Sequence, residues 1–241
     1  MTVLEARGLS CGYGESVVVR DLDLSVSAGE VVALLGANGA GKTTTLLTLA
    51  GVLPAVAGEV SVLGERVERW PAPRIAQLGA VLIPDDRGLF PKLTVRENLA
   101  LAAPRRGPRA DPLAQFPELQ KRLRTPAGLL SGGQQQMLAI ARALARRPRV
   151  LLVDELSFGL APIVVHHLLP MVRAVADEAG VGVLLVEQHV HLGLAIAERA
   201  YVLSHGRVTL AGPAADLRDD VSLLHASYLG AVDDAYEGSP A

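Results

Sequence analysis

Gly36-Ala37-Asn38-Gly39-Ala40-Gly41-Lys42-Thr43 is the stretch that settles how this 241-residue chain folds. It follows a short Val/Leu-rich run, Glu30 to Leu35, that reads as a buried strand, and Lys42 to Gly51 then has helical spacing. A glycine-rich turn ending in Lys-Thr, set between a strand and a helix, is the phosphate-loop pattern. Its glycines let the backbone turn tightly and aim N–H groups at a β-phosphate. Lys42 is placed to reach the β- and γ-phosphates and the Thr43 hydroxyl to hold Mg²⁺, with Gly36, Asn38, Gly39, Gly41 and Thr44 as further nucleotide contacts. An ordinary Gly-rich turn is the weaker reading in that context.

Two further stretches extend the site. Leu130-Ser131-Gly132-Gly133-Gln134 opens a helix, and Val150-Leu151-Leu152-Val153-Asp154-Glu155 follows it. Free backbone N–H groups at a helix start attract anions, so the Ser-Gly-Gly turn is a second cradle. Asp154 ends a buried strand and emerges at the carboxyl edge of the sheet, where α/β proteins place ligands. There it can orient Mg²⁺ or its waters, and Glu155 beside it can polarise an attacking water. A helix cap or surface ion pair would be the better reading if the two acids stood alone. Two cradles and one carboxylate-tipped strand exceed what a single nucleotide requires, which points to half of a shared site.

Composition agrees with an α/β fold. Half the residues are hydrophobic, yet there are only four Tyr, three Phe and one Trp, so the core is built from Val, Leu, Ile and Ala. With twenty-four glycines, that suits a parallel sheet covered by helices on both faces. The net charge of −2 disfavours a nucleic-acid partner. Arg105, Arg106 and Arg109 sit among prolines and read as a solvated loop. Cys11 stands alone, which excludes an intramolecular disulfide and fits a reducing compartment. The N-terminal residues carry no secretory apolar region, and no apolar run is long enough to cross a bilayer. A membrane role is therefore expected through a partner.

Along the chain, residues 2–9 and 17–26 read as strands joined by the turn Gly12-Tyr13-Gly14-Glu15. Gly79 to Ile83 reads as a buried strand stopped by Pro84. From Asp85 to about Leu129, prolines at 91, 104, 108, 112, 117 and 126 break the chain into short helical pieces such as Thr94 to Ala103. A helix is expected from Gly133 to about Arg146, ended by Arg147-Pro148. Val150–Val153 and Val181–Val186 read as central parallel strands, with a crossover helix from about Ile163 to Glu178. Tyr201–Leu203 and Arg207–Leu210 read as a hairpin. The last ten or so residues are polar and read as a frayed tail.

Taken in order, GANGAGKTT, LSGGQQQ and VDE resemble the nucleotide-binding subunit of an ABC transporter. The resemblance implies a phosphate-loop NTPase core with a mostly parallel sheet, an antiparallel β region and a small helical subdomain. It divides the chain into a discontinuous core (1–84 and 145–230), a helical and signature subdomain (85–144) that meets a permease, and a flexible tail (231–241). It implies ATP and Mg²⁺ as ligands, with Ser131, Gly133 and Gln134 serving the γ-phosphate held by a partner subunit. By position, Tyr13 matches the aromatic that stacks on adenine. Ser157-Phe158-Gly159-Leu160-Ala161-Pro162, Val186-Glu187-Gln188 and Tyr228-Leu229-Gly230 are similar to the branched-chain amino acid importer branch. That branch implies a cytoplasmic protein, peripheral on the inner face of the cell membrane. Its partners are a second ATPase subunit in a homo- or heterodimer, transmembrane permeases and, indirectly, a solute-binding protein.

Several positions depart from the family pattern. Asp85 follows Pro84 where most relatives carry Gln and the importer branch Glu, and it is expected to face the metal, with Asp86 as the alternative. An ionised carboxylate cannot donate a hydrogen bond as Gln does. Leu156 replaces the proline after the catalytic glutamate, and Ala161 replaces an aspartate of the inter-subunit loop. The switch histidine position falls on Gln188, with His189 one residue later. Neighbouring strand residues face opposite ways, which favours Gln188 unless the strand has already ended and a bend swings His189 inward. His189 and His191 have no accompanying carboxylate or cysteine set, so a metal pair is not expected.

The expected activity is ATP hydrolysis that closes a dimer and powers a permease, for branched-chain or related amino acids. One alternative is a weakly hydrolysing regulatory nucleotide-binding module. Another is an importer of a different small solute such as urea or amides. A soluble ABC ATPase of DNA repair or translation would carry long coiled-coil insertions or paired domains, absent here.

Overall fold

The computed structural model describes residues 1–103, 113 and 115–219. The Arg105, Arg106 and Arg109 cluster, prolines 104, 108 and 112, the Tyr228-Leu229-Gly230 string and the tail 231–241 lie outside the described residues.

Two sheets form the frame. The larger runs in the order β10 (Arg207–Pro213), β9 (Arg199–Ser204), β3 (Val31–Leu35), β8 (Gly182–Glu187), β7 (Val150–Asp154), β6 (Ala80–Ile83). Its neighbours are parallel except for the antiparallel pair β9–β10. The smaller sheet is antiparallel, in the order β2 (Ser16–Ser27), β1 (Thr2–Tyr13), β4 (Ala55–Val62), β5 (Glu65–Arg66). Strands β3, β7 and β8 are buried along their whole length, which accounts for their unbroken apolar sequence.

The two-residue period of these strands sorts their side chains into two cores. Val31, Ala33, Leu35, Leu151, Val153, Val183 and Leu185 pack with α3 (Val95–Ala102), α5 (Gly132–Ala145), α6 (Pro162–Ala179) and α7 (Val190–Ile196). Val32, Leu34, Leu152, Leu184 and Val186 pack against the antiparallel sheet and α1 (Lys42–Leu49). Each fully buried Val or Leu contributes about 1.5–3 kcal/mol over exposure, so a one-residue slip in a central strand would exchange two cores at once. The 85–129 stretch contributes no strand among its described residues. Its Val95 and Leu99, with Phe116 and Leu119 at α4 (Pro117–Gln120), join the same core as β7 and β8.

Several expectations are refined. Strands β1 and β2 run to Tyr13 and from Ser16, so Tyr13 ends a strand instead of sitting in the turn. Register shifts around Gly8 and Gly12 absorb the glycines that look like breaks in the sequence. Gly79, with φ 114, is the left-handed C-cap of α2 (Ala72–Leu78) and precedes β6. The reading of residues 52–78 is silent on β4, β5 and α2. Gly58 interrupts β4, and Pro71 with Pro73 disguises α2, whose first turn tolerates proline. Short α7 and α8 (Ala214–Asp219) also went unread.

Candidate active site

Register alone assembles the site. Leu35 pairs with Glu187, Asp154 with Val186, and Ile83 with Val153, so β3, β8, β7 and β6 finish at one edge. The segments leaving that edge are the phosphate loop, Gln188, Glu155 and Pro84-Asp85. Four stretches distant in sequence thus meet where a parallel sheet presents its carboxyl ends.

The phosphate loop is a cradle only glycine can build. Gly39 and Gly41 hold φ values of 82° and 107°. A Cβ on Gly41 would sit 2.3 Å from Val19 Cγ2, and one on Gly36 would lie 2.4 Å from the Leu203 carbonyl oxygen. Ala37, Asn38 and Gly39 are exposed at the top of the loop, while Thr44 is buried on α1. Helix α1 starts at Gly41 without a side-chain cap and without an acid in its first turn. Its N-terminal amides and dipole therefore favour an anion there. Tyr13 is half exposed and pairs with Ser16 at the tip of the hairpin whose Val19 packs on Gly41.

Charge is concentrated under this cradle. The Lys42 ammonium, 4% exposed, donates to the Ala37 carbonyl at 3.1 Å and lies 3.4 Å from Glu155 Oε1. Thr43 Oγ1 donates to Asp154 Oδ1 at 3.3 Å. Burial pushes the Asp154 carboxyl up to about 6, helped by the negative charges of Glu155 and Asp85 and opposed by Thr43 and Lys42. Asp85 is thus near enough for Asp154 to feel its charge. Both acids of the turn hold an amide: Asp85 Oδ1 accepts from the Asp86 N–H and Asp86 Oδ1 from the Gly88 N–H, each at 2.8 Å. Among the described residues no three His, Cys, Asp or Glu side chains gather round one point. The Thr43 hydroxyl and the Asp154 carboxylate it touches are oxygen groups of the kind Mg²⁺ takes, an ion that ordinarily completes its shell with phosphate oxygens and water.

Ser131 caps α5 through a reciprocal box: Ser131 Oγ accepts from the Gln134 N–H at 3.3 Å, and Gln134 Oε1 accepts from the Ser131 N–H at 3.2 Å. Part of that helix start is therefore satisfied from within, which the reading of it as a free anion cradle did not include. Around this turn pack Leu160 and Val164, the first 3.1 Å from a Cβ built on Gly132 and the second 2.5 Å from one on Gly133. Arg87 ties the Asp85 loop to α5, donating to Gln136 Oε1 at 3.1 Å and to Gln135 Oε1 at 2.8 Å. Strand β8 ends at Glu187, so the alternation argument for Gln188 over His189 does not apply. Gln188 is half-buried in a bend, and exposed His189 caps α7.

Glu187, within Val186-Glu187-Gln188, carries no motif signal of its own in the sequence. It is completely buried, its two oxygens accepting from the Ser157 N–H at 3.0 Å and the Ser157 hydroxyl at 2.8 Å. Burial pushes its carboxyl up, against the opposing pull of those two bonds. A charged residue closing an apolar run, as Asp154 does, was the available signal.

Among the described residues no helix is long and apolar enough to cross a membrane. The ABC transporter family model matches residues 19–157. The high-affinity branched-chain amino acid transport ATP-binding protein BraG of Pseudomonas aeruginosa is 40% identical over 92% of this chain and 97% of its own. The lipopolysaccharide export system ATP-binding protein LptB of Escherichia coli is 34% identical over 95% of this chain and 98% of its own. A solved ATP-binding subunit of an ABC transporter superposes with a TM-score of 0.80 at 30% identity, covering 95% of this chain and 98% of that one. Motif order, strand-edge geometry and these likenesses agree, and the chain belongs to the ABC transporter family, among its ATP-hydrolysing cassettes.

Proposed function

We propose that this chain is an ATPase subunit of an importer for branched-chain or related amino acids, peripheral on the cytoplasmic face of a membrane permease. The observation that carries the chemistry is the single strand edge holding Lys42, Thr43, Asp154 and Glu155 together. The transported class rests on the 40% identity to BraG over nearly its whole length, against 34% to LptB.

In this reading the phosphate loop and Lys42 hold the β- and γ-phosphates, and Tyr13 stacks on adenine. Thr43, Asp154 and Asp85 hold Mg²⁺, whose charge offsets that of the phosphate oxygens. Glu155 takes the proton of a water that attacks the γ-phosphorus as the bond to the ADP oxygen breaks, giving ADP and phosphate. Gln188 donates its amide to a γ-phosphate oxygen. Ser131, Gly133 and Gln134 face the nucleotide of a second ATPase subunit, so closure of the dimer completes two sites. Residues 85–144, as a helical unit, transmit closure to the permease, and a solute-binding protein delivers cargo. Catalysis is then positioning and electrostatics.

The test is leucine, isoleucine and valine uptake by cells expressing the whole transporter, beside its ATPase rate with and without permease. Uptake should require Glu155. Uptake of urea or short amides alone would redirect the cargo assignment, and an ATPase rate near background with permease present would favour the regulatory module.

A further inference from the structure

Glu155 sits in a backbone conformation that needs holding. Its φ of 41° lies in the left-handed region that non-glycine residues seldom occupy. Leu156, in the next position, leaves φ free where a proline would stiffen the turn. What fixes the turn in this chain comes from the end of β8. The Glu155 N–H donates to the Val186 carbonyl at 3.0 Å, and Glu187 takes both donors of Ser157, two residues beyond Glu155. The Phe158 N–H closes the turn on the Glu155 carbonyl at 3.0 Å.

A carboxylate with no solvent exposure carries a desolvation penalty that an apolar residue would avoid. No cation makes an ion pair with Glu187 among the described residues; its two hydrogen bonds both go to Ser157. Leu35 pairs with Glu187 across the strands, and a Cβ on Gly193 would come 3.7 Å from its own. Both oxygens are spent on one residue thirty positions away. We propose that Glu187 is a positioning residue for hydrolysis: through Ser157 it fixes the turn that aims Glu155 and locks that turn to the adjoining Gln188. The proposal rests on the reading of Glu155 as the group that activates water.

The experiment is steady-state ATP hydrolysis by the intact transporter carrying Glu187→Ala, Glu187→Gln, Ser157→Ala or the double alanine change, with kcat and KM measured separately. Glu187→Ala should lower kcat on the order of tenfold to a hundredfold. KM should stay within about threefold, since nucleotide binding is left alone. Ser157→Ala, which removes the hydroxyl bond and keeps the backbone one, should act in the same direction by a smaller factor, and the double variant should be no worse than Glu187→Ala, because both act on one linkage. Glu187→Gln should keep most of the turnover: its amide oxygen accepts the Ser157 N–H and its NH₂ donates to Ser157 Oγ. A wild-type kcat in Ser157→Ala, or losses that multiply in the double variant, would overturn the proposal even if Glu187→Ala fails to fold. Glu155→Gln in the same complex separates the two failures. If it retains turnover, the underlying catalytic reading is wrong; if it is inactive while Ser157→Ala is normal, only the positioning role is wrong.

Discussion

Lys42 Nζ lies 3.4 Å from Glu155 Oε1, so the lysine assigned to phosphate and the acid assigned to water hold each other across the sheet edge. The ammonium is almost wholly buried, and such a pair is screened little by solvent. On the proposed mechanism, an incoming triphosphate competes with Glu155 for Lys42. Glu155→Gln removes the competing charge. Turnover should fall by about 100-fold or more, the usual size of a lost general base. ATP affinity, measured by equilibrium titration with Mg²⁺, should be equal to or tighter than wild type. Weaker binding would show that Glu155 stabilises the loop more than it competes for Lys42.

Gln188 leaves β8 immediately after Glu187 and stays half-buried, while exposed His189 opens α7 with φ −83° and ψ 98°. Removing a γ-phosphate donor should weaken the transition state more than the ground state. Gln188→Ala should therefore lower kcat on the order of 100-fold. His189→Ala, which loses only an exposed ring at a cap without a side-chain bond, should keep kcat within about twofold. A larger loss at His189 in the assembled transporter would reverse the assignment.

The parts of this fold legible in the sequence are those whose local signal and tertiary fate coincide. Buried strands such as Val150–Asp154 are apolar up to their closing acid because both faces are covered, and the Lys42 helix begins where the glycines end. Strand β4 was opaque because Gly58 with φ 87° breaks its pattern, and that glycine is needed where the backbone of Gly8 approaches. The loop acids show a subtler limit. Asp85 and Asp86 each give one oxygen to an amide of the same turn, so what distinguishes them is the charge Asp85 exerts on Asp154, which comes from tertiary placement and not from composition. Glu187 escaped notice because its partner Ser157 is remote in sequence, and only strand register brings the two together.

Ala161 occupies the N-cap of α6 with extended backbone, φ −67° and ψ 145°, and offers no side-chain acceptor, while Pro162 fills the first helical position. Helix α6 therefore begins with uncapped amides and no acid in its first turn. Ala161→Asp supplies both an acceptor and a favourable charge at the positive end of the dipole. It should stabilise the isolated chain by about 1 kcal/mol. A thermal melt should move up by about 2–4 °C for a domain of this size. No shift, or a lower midpoint, would mean that the cap geometry is not available to a longer side chain.

Arg199 and Glu30 clamp the start of β3 to β9 and β2. Arg199 donates to both Glu30 oxygens and, at 2.8 Å, to the Ser25 carbonyl, and the Ser27 N–H donates to Glu30 Oε2 at 2.7 Å. Burial by itself would raise the Glu30 carboxyl, but the bonds from Arg199 and Ser27 and the Arg199 charge hold it below its ordinary 4.5. A depressed carboxyl pKa contributes stability that is fully present above the unfolded value and disappears as pH falls through the folded one. Glu30→Gln keeps the shape and one acceptor but loses the charge, so it should destabilise by on the order of 1–2 kcal/mol at pH 7. In urea titrations the gap between the two proteins should narrow steadily below about pH 4.5, as protonation neutralises the wild-type carboxylate. A gap that stays constant into acid would assign the loss to packing and leave the Arg199–Glu30 charge without net effect.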